Sequence, residues 1–178
     1  PRKFEKIHEV LFNDDESRYY VECLNSNEIA LTRLHKLKSF SLSGISDDKK
    51  FMNDFSKINK LISLLKTIKQ NNEKAIIFII ERAVQNLIKF GIEQKFDIDV
   101  SIINGDNNSS NNVQVILDKF NKITGFGVII LSPLSAGVGL TITSANHVIH
   151  YERWWNASKE DQASDRAYRI GQQKDVYI

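Results

Sequence analysis

Ala75-Ile76-Ile77-Phe78-Ile79-Ile80 is apolar at every position. A strand with one wet face alternates apolar and polar residues. An unbroken apolar run of this length is what a strand buried on both faces requires. Outward from it, helical and extended patterns alternate. Upstream, Ile58, Leu61, Ile62, Leu65 and Ile68 form a helical stripe. Downstream, residues 81–94 predict a helix with Ala83, Leu87 and Phe90 inward, and Val100-Ser101-Ile102-Ile103 predicts a second strand ended by Asn104-Gly105-Asp106-Asn107. A helix over 113–120 closes at Thr124-Gly125, and Val128-Ile129-Ile130-Leu131 and Val148-Ile149-His150-Tyr151 are further strands. Ser158 to Ile170 reads as the last helix, and Val176-Tyr177-Ile178 begins another strand. Strands alternating with helices of this length imply βαβ units, a mainly parallel sheet and helices on both of its faces. Ligands of such a sheet collect at the carboxyl ends of its strands, and the segments after Leu131 and Tyr151 leave such ends.

The N-terminal part has a different texture. Residues 1–50 are polar and irregular, with an extended pattern over Glu5 to Phe12 and a helical one over Ser17 to Phe40. Ser41-Leu42-Ser43-Gly44 and Ser46-Asp47-Asp48 break that pattern. The expected division is therefore a mostly helical segment over 1–50 and an α/β domain over 51–178. The chain has 178 residues, 42% hydrophobic and 26% charged, enough for one sizeable core and a small appendage. No apolar run approaches the roughly 18–20 residues of a membrane span, and Pro1-Arg2-Lys3-Phe4-Glu5 lacks a signal-peptide core. The missing initiator Met is expected of a fragment. Cys23 is the only cysteine, which excludes an internal disulfide and a cysteine-cluster metal site and fits a reducing, intracellular setting. A net charge of +2 permits a local phosphate-binding face without demanding one. His147 and His150 have no third metal ligand at suitable spacing and read as packing or surface residues. The lysines from Lys49 to Lys74 read as a solvated helix face.

Three segments carry candidate chemistry. In Leu131-Ser132-Pro133-Leu134-Ser135-Ala136-Gly137-Val138-Gly139-Leu140-Thr141-Ile142-Thr143, a buried strand runs into small residues and two glycines. Backbone N–H groups and hydroxyls in such a turn hold phosphate oxygens well, although a plain tight turn has the same appearance. In Gln162-Ala163-Ser164-Asp165-Arg166-Ala167-Tyr168-Arg169-Ile170-Gly171-Gln172, helical spacing puts Gln162, Arg166 and Arg169 on one face, with Ser158 and Asp161 as a capping box and Gly171 as the stop. Two guanidinium groups beside an amide suit phosphate; a solvated face with an Asp165–Arg169 pair is the alternative. Tyr151-Glu152-Arg153-Trp154-Trp155-Asn156 places adjacent tryptophans at a strand end, as core, interface or stacking platform.

In order and spacing these segments resemble the C-terminal half of the Swi/Snf family of DNA-dependent ATPases, within helicase superfamily two. That family carries an "AGGxGxNLTxAxxVI" stretch, then "WWNP" or "WNP", then "QAxDRAxRIGQ". The likeness is most specific over residues 128–178 and weaker over 74–127, where Asn104-Gly105 is similar to the family's "DG" turn and Phe120-Asn121 to its "FN" helix end. Over residues 1–50 it is faint. The chain departs from the pattern at Ser135, Ala136, Thr141 and Ala157, and Asn111, Asn112 and Val113 stand where the family has an arginine.

The resemblance implies a RecA-like three-layer sandwich, the second lobe of a two-lobed motor, with the chain ending just after motif VI. ATP with Mg2+ would be held by a first lobe preceding Pro1, since no Gly-x-x-x-x-Gly-Lys-Ser/Thr loop occurs here. Arg166 and Arg169 match the motif VI arginines, which resemble arginine fingers. Gln162 would position the nucleotide, and Gly137 and Gly139 would let the backbone approach the cleft. Ser135, Trp155, Asn104 and Gly105 would meet double-stranded DNA, mainly at phosphate, so binding would be independent of sequence and sensitive to salt. Residues 15–50 would belong to a helical protrusion between the lobes. The setting would be cytoplasmic in a bacterium and nuclear in a eukaryote. Two rivals remain: a catalytically degenerate lobe used as a nucleic-acid or protein binding module, and a strand-separating helicase. The presence of both arginines argues against the first, and the Trp-Trp-Asn and motif VI wording against the second.

Overall fold

The structure is a computed structural model, described over residues 1–45, 54–105, 110–133 and 140–178. Among the described residues, six strands form one sheet: β1 (Lys3–Phe4), β2 (Lys74–Phe78), β3 (Ser101–Ile103), β4 (Gly127–Leu131), β5 (His147–His150) and β6 (Val176–Tyr177). Their order is β1-β6-β5-β2-β4-β3, and every pairing is parallel. The apolar run behaves as its composition demands. β2 lies between β4 and β5, with Ile76 opposite Ile129 on one side and Val148 on the other, and all five of its residues are buried. The chain is thus an α/β fold of RecA-like type with a wholly parallel sheet.

The helices that cross between strands are α4 (Arg82–Phe96), α5 (Ser110–Lys122) and α6 (Ala157–Ser164). The path runs from β2 outward to β3, back to β4 beside β2, and then to β5 on β2's other flank. The reversal falls at β2, so the carboxyl ends of β2, β4 and β5 open where ligands of such sheets bind. Ile76, Phe78, Ile129, Leu131 and Val148 of the sheet pack with Leu117 and Phe120 of α5 and with Ala163 and Ala167 in one core.

Two expectations for these elements are corrected. α4 buries Val84, Gln85, Ile88, Ile92 and Phe96, while Ala83 and Phe90 face outward. The helix carries two apolar stripes, and the one that repeats every four residues through Phe96 is longer and meets the sheet. Lys74 is not on a solvated face. It opens β2 buried, and its Nζ donates to the carbonyls of Phe120 and Asn121, 3.0 Å from each, at the C-terminal end of α5. A cation there satisfies carbonyls that the helix leaves open. Burial, and then the charge of Lys174, lowers the Lys74 pKa.

The strand expected over residues 5–12 is instead β1, at Lys3–Phe4. It is fixed by a partner at the far end of the chain: Val176 N–H donates to the Arg2 carbonyl and Ile178 N–H to the Phe4 carbonyl, each at 2.8 Å.

The chain divides into two compact units, Pro1–Ile7 with Leu65–Ile178, and His8–Leu64. The second holds α1 (Asp14–Leu24), α2 (Ala30–Ser43) and the first half of α3 (Ser56–Gln70). The single helical stretch expected over 17–40 is two helices. Ser26 Oγ donates to the Cys23 carbonyl at 2.9 Å, and Arg33 Nη1 reaches the carbonyls of Leu24 and Ser26, which closes α1 before α2 begins. Glu16 is wholly buried and caps two helices. Its Oε2 accepts from Asn13 N–H at 2.9 Å in a capping box on α1, and its Oε1 accepts from Ser56 N–H at 2.6 Å at the start of α3. Gly44 ends α2 in the left-handed region with φ +65°, and a Cβ there would lie 2.5 Å from Phe55 Cγ. Cys23 is buried, as a small apolar residue should be.

Candidate functional site

The arginine segment does not continue as helix to Ile170. α6 begins at Ala157, capped by Asn156 rather than Ser158, with the Asn156 side chain accepting from Lys159 N–H. It stops at Ser164. Continuation to Ile170 meets competition for carbonyls. A longer helix would use the Arg166 and Ala167 carbonyls for N–H groups four residues on. Here Ile142 N–H takes the Arg166 carbonyl at 3.0 Å, and the Gln172 side chain takes that of Ala167 at 3.1 Å. Turns replace the helix, with N–H bonds from Arg166 to Ala163 and from Ala167 to Ser164, both 3.1 Å. Gly171 then reverses the path at φ +104°.

Gln172 locks this segment in place. It is buried, donates to the carbonyls of Ala145 and Ala167, and accepts the N–H groups of Gln173 and Lys174 at 2.9 Å each. Every polar atom of its amide group is used. That role was not apparent from the motif, in which Gln172 is simply the last letter.

The turns still bring the expected residues together. Gln162, Asp165, Arg166, Tyr168 and Arg169 line one open depression of about 360 Å3. Arg169 Nη1 donates to Thr141 Oγ1 at 3.0 Å, which ties the segment to the chain that follows β4. Arg166 is half-buried, and its Nε is buried without a hydrogen-bond partner. Burial lowers the Arg166 pKa, the adjacent charge of Arg169 lowers it further, and Asp165 opposes both. Two like charges lining one depression, with an unpaired N–H donor on one of them, form a site suited to an anion.

The tryptophans divide their roles. Trp154 packs against the core, edge-on to Phe78 at 5.6 Å and to His150 at 5.5 Å between centroids. Trp155 is fully exposed. Buried Glu160 organises the turn between β5 and α6: its Oε2 accepts from Trp154 N–H at 2.9 Å and its Oε1 lies 3.1 Å from Arg153 Nη2. Asn104 is half-buried, and its Nδ2 donates to Gln85 Oε1 at 3.0 Å, while Gln85 donates to the Ile79 carbonyl at 2.8 Å. Gly105 is exposed, and a Cβ on it would stand 3.2 Å from Arg82 Nη2. Ser135, Gly137 and Gly139 lie outside the described residues.

Both histidines make side-chain contacts within the fold. His147 Nε2 is 2.6 Å from Glu73 Oε2, and the ring stacks on Tyr177 at 5.1 Å. Burial pushes the Glu73 carboxyl up, but hydrogen bonds from His147 and Asn146 outweigh it and hold the group below its usual range. His150 reaches Ser164 instead, at 2.8 Å.

Residues 56–171 match the helicase conserved C-terminal domain. The chain belongs to that family. Within it, this lobe is the C-terminal RecA-like lobe of the Swi/Snf type. The helicase lobe is 43% identical over 152 residues to the Zorya protein ZorD of Escherichia coli, a span that covers 82% of this chain and 14% of that protein. It is 40% identical over 122 residues to the putative ATP-dependent helicase/translocase YwqA of Bacillus subtilis, 68% of this chain and 13% of that protein. The chain therefore spans about a seventh of the length of these relatives. Among solved structures, the Sulfolobus solfataricus SWI2/SNF2 ATPase core in complex with dsDNA covers all of this helicase lobe with a TM-score of 0.77 at 26% identity, and this lobe covers 40% of that chain. Among the described residues, no helix is long and apolar enough to cross a membrane.

Proposed function

We propose that this lobe is the second half of an ATP-driven double-stranded DNA translocase. It would close on ATP and Mg2+ held by an N-terminal RecA-like lobe of the same protein, with the magnesium ligands on that first lobe. Arg166 and Arg169 would act as arginine fingers, Gln162 would position the nucleotide, and Gly137 and Gly139 would let the backbone approach it. Ser135, Trp155, Asn104 and Gly105 would lie along the DNA. In this reading residues 1–50 join the lobes and 51–178 form the motor domain.

One observation carries the reading: Arg166 and Arg169 line a common depression with Gln162, in mutual repulsion and with the Arg166 Nε unpaired. That donor set fits a phosphate group, and a guanidinium aimed at a transferring phosphoryl group is worth about 10³–10⁵ in rate. Charge on that group peaks in the transition state, so the arginines should act on turnover more than on affinity. The test is DNA-stimulated ATPase of the two-lobed protein. Arg166→Ala or Arg169→Ala should lower kcat by about a hundredfold or more and move KM for ATP much less. Lysine at either position should restore little, since a point charge does not reproduce the planar fork. Near-native turnover in both alanine variants would reject the finger assignment and favour a binding module.

A further inference from the structure

We propose that His150 is a positioning residue for the arginine segment, acting through the Ser164 hydroxyl. The proposal rests on the arginine assignment above and concerns how those side chains are aimed.

Ser164 is the last residue of α6 and stands two positions before Arg166. It is buried, and its hydroxyl donates to the Glu160 carbonyl at 3.2 Å while lying 2.8 Å from His150 Nε2. With the hydroxyl proton on that carbonyl, the oxygen accepts the Nε2–H of a neutral imidazole. His150 Nδ1 is then a buried acceptor without a partner. A charged ring would instead bury an unpartnered N–H, which is costly, so the fold holds the neutral form.

The ring itself has little freedom. Phe78 of β2 stacks on it at 5.3 Å with 12° between planes, and Trp154 abuts it at 81°. β2 is buried along its whole length, so the stack references His150 to a strand in the interior of the sheet. The bond to Ser164 passes that reference to the point where α6 gives way to turns. Beyond it, Arg166 is held by its carbonyl to Ile142 and Arg169 by its side chain to Thr141. Past Ser164 the helical bonding thins out: Arg166 and Ala167 bond three residues back, and Tyr168 N–H reaches the Ser164 carbonyl only at 3.4 Å, so the His150–Ser164 bond adds a fixed point where the regular helix ends. A misplacement of about 1 Å at a reacting group can cost about a hundredfold in rate.

The experiment compares His150→Phe, His150→Gln, Ser164→Ala and Ser164→Thr in the two-lobed protein, alongside Arg166→Ala. Phenylalanine keeps the ring between Phe78 and Trp154 and removes only the polar atom. Glutamine returns a polar atom at similar reach, and threonine returns the hydroxyl. The expected result is a fall in kcat of about tenfold to a hundredfold for His150→Phe and for Ser164→Ala. KM for ATP and DNA affinity should stay within about twofold, the His150→Phe/Ser164→Ala double variant should be no worse than either single, and Ser164→Thr and His150→Gln should recover rate. Native kcat in both His150→Phe and Ser164→Ala, with Arg166→Ala inactive, would overturn the positioning role and leave the arginine assignment standing. Native kcat in Arg166→Ala would overturn the arginine assignment itself. Thermal unfolding is followed for each variant. If His150→Phe unfolds at the assay temperature, Ser164→Ala against Ser164→Thr decides the outcome, since a rate lost with the hydroxyl and not recovered by threonine also counts against the proposal.

Discussion

Arg166 meets two opposing demands. Its side chain is partly withdrawn from water and stands beside a second guanidinium, yet its Nε has no partner. A residue selected for stability alone would pair that donor. His150 shows the converse arrangement, a titratable group whose charge is refused. Burial lowers its pKa; Glu160 opposes the shift, Arg153 adds to it, and Asp161 and Glu5 oppose it, leaving a net lowering. The direction sets the sign of a pH effect. An unfolded histidine takes up its proton below about pH 6.5. Between that value and the lowered folded value, only the unfolded chain binds the proton, so stability falls as the pH drops. Below the folded value both states are protonated and this contribution is gone. The melting temperature of the chain, taken relative to that of His150→Phe and measured from pH 8 to pH 5, should therefore decline as the pH falls. Curves that stay parallel would show that His150 is as readily charged in the fold as outside it.

At the scale of elements, several helix ends are settled by groups that local sequence does not single out. Glu16 caps α1 and α3 together, Lys74 holds the last carbonyls of α5, and Gln172 with Ile142 takes carbonyls that would carry α6 on to Ile170. The end of α2 depends on the absence of a side chain. Gly44 has φ +65°, and Phe55, fully buried, would lie 2.5 Å from a Cβ placed there. Gly44→Ala therefore combines a left-handed conformation with an overpacked aromatic contact. The loss of stability should reach at least about 2 kcal/mol, read as a lowered urea midpoint. A loss below about 0.5 kcal/mol would mean that Phe55 moves aside at little cost.

For the whole molecule, the purified chain of 178 residues should fold yet hydrolyse ATP negligibly, with or without duplex DNA. The half-motor reading requires this, because the sequence has no phosphate-cradling Gly-x-x-x-x-Gly-Lys-Ser/Thr loop. DNA-stimulated turnover in a coupled assay of this chain would overturn it. Much of the architecture is legible without coordinates. The unbroken apolar run at 75–80, the helical stripe at Leu61, Leu65 and Ile68, and the short strands between them specify a parallel α/β sheet, because burial on both faces or on one stripe leaves a period that a short window contains. The motif wording from Trp154 to Gln172 carries the family in the same local way. Other features have no local period to read. β1 exists because Arg2 and Phe4 meet Val176 and Ile178 across nearly the whole chain. α4 had two apolar stripes to offer, and contact with the sheet chose between them. Lys74 is buried because the end of α5 supplies carbonyls for it. α6 does not run on to Ile170, where Ile142 N–H and the Gln172 amide take the carbonyls of Arg166 and Ala167. Sequence alone determined the alternation of strands and helices from α3 to α6 and the family they belong to, since both are written in neighbouring residues. Tertiary structure decided where each element ends and which polar atoms are left open, since those depend on donors and acceptors that only folding brings within 3 Å of one another.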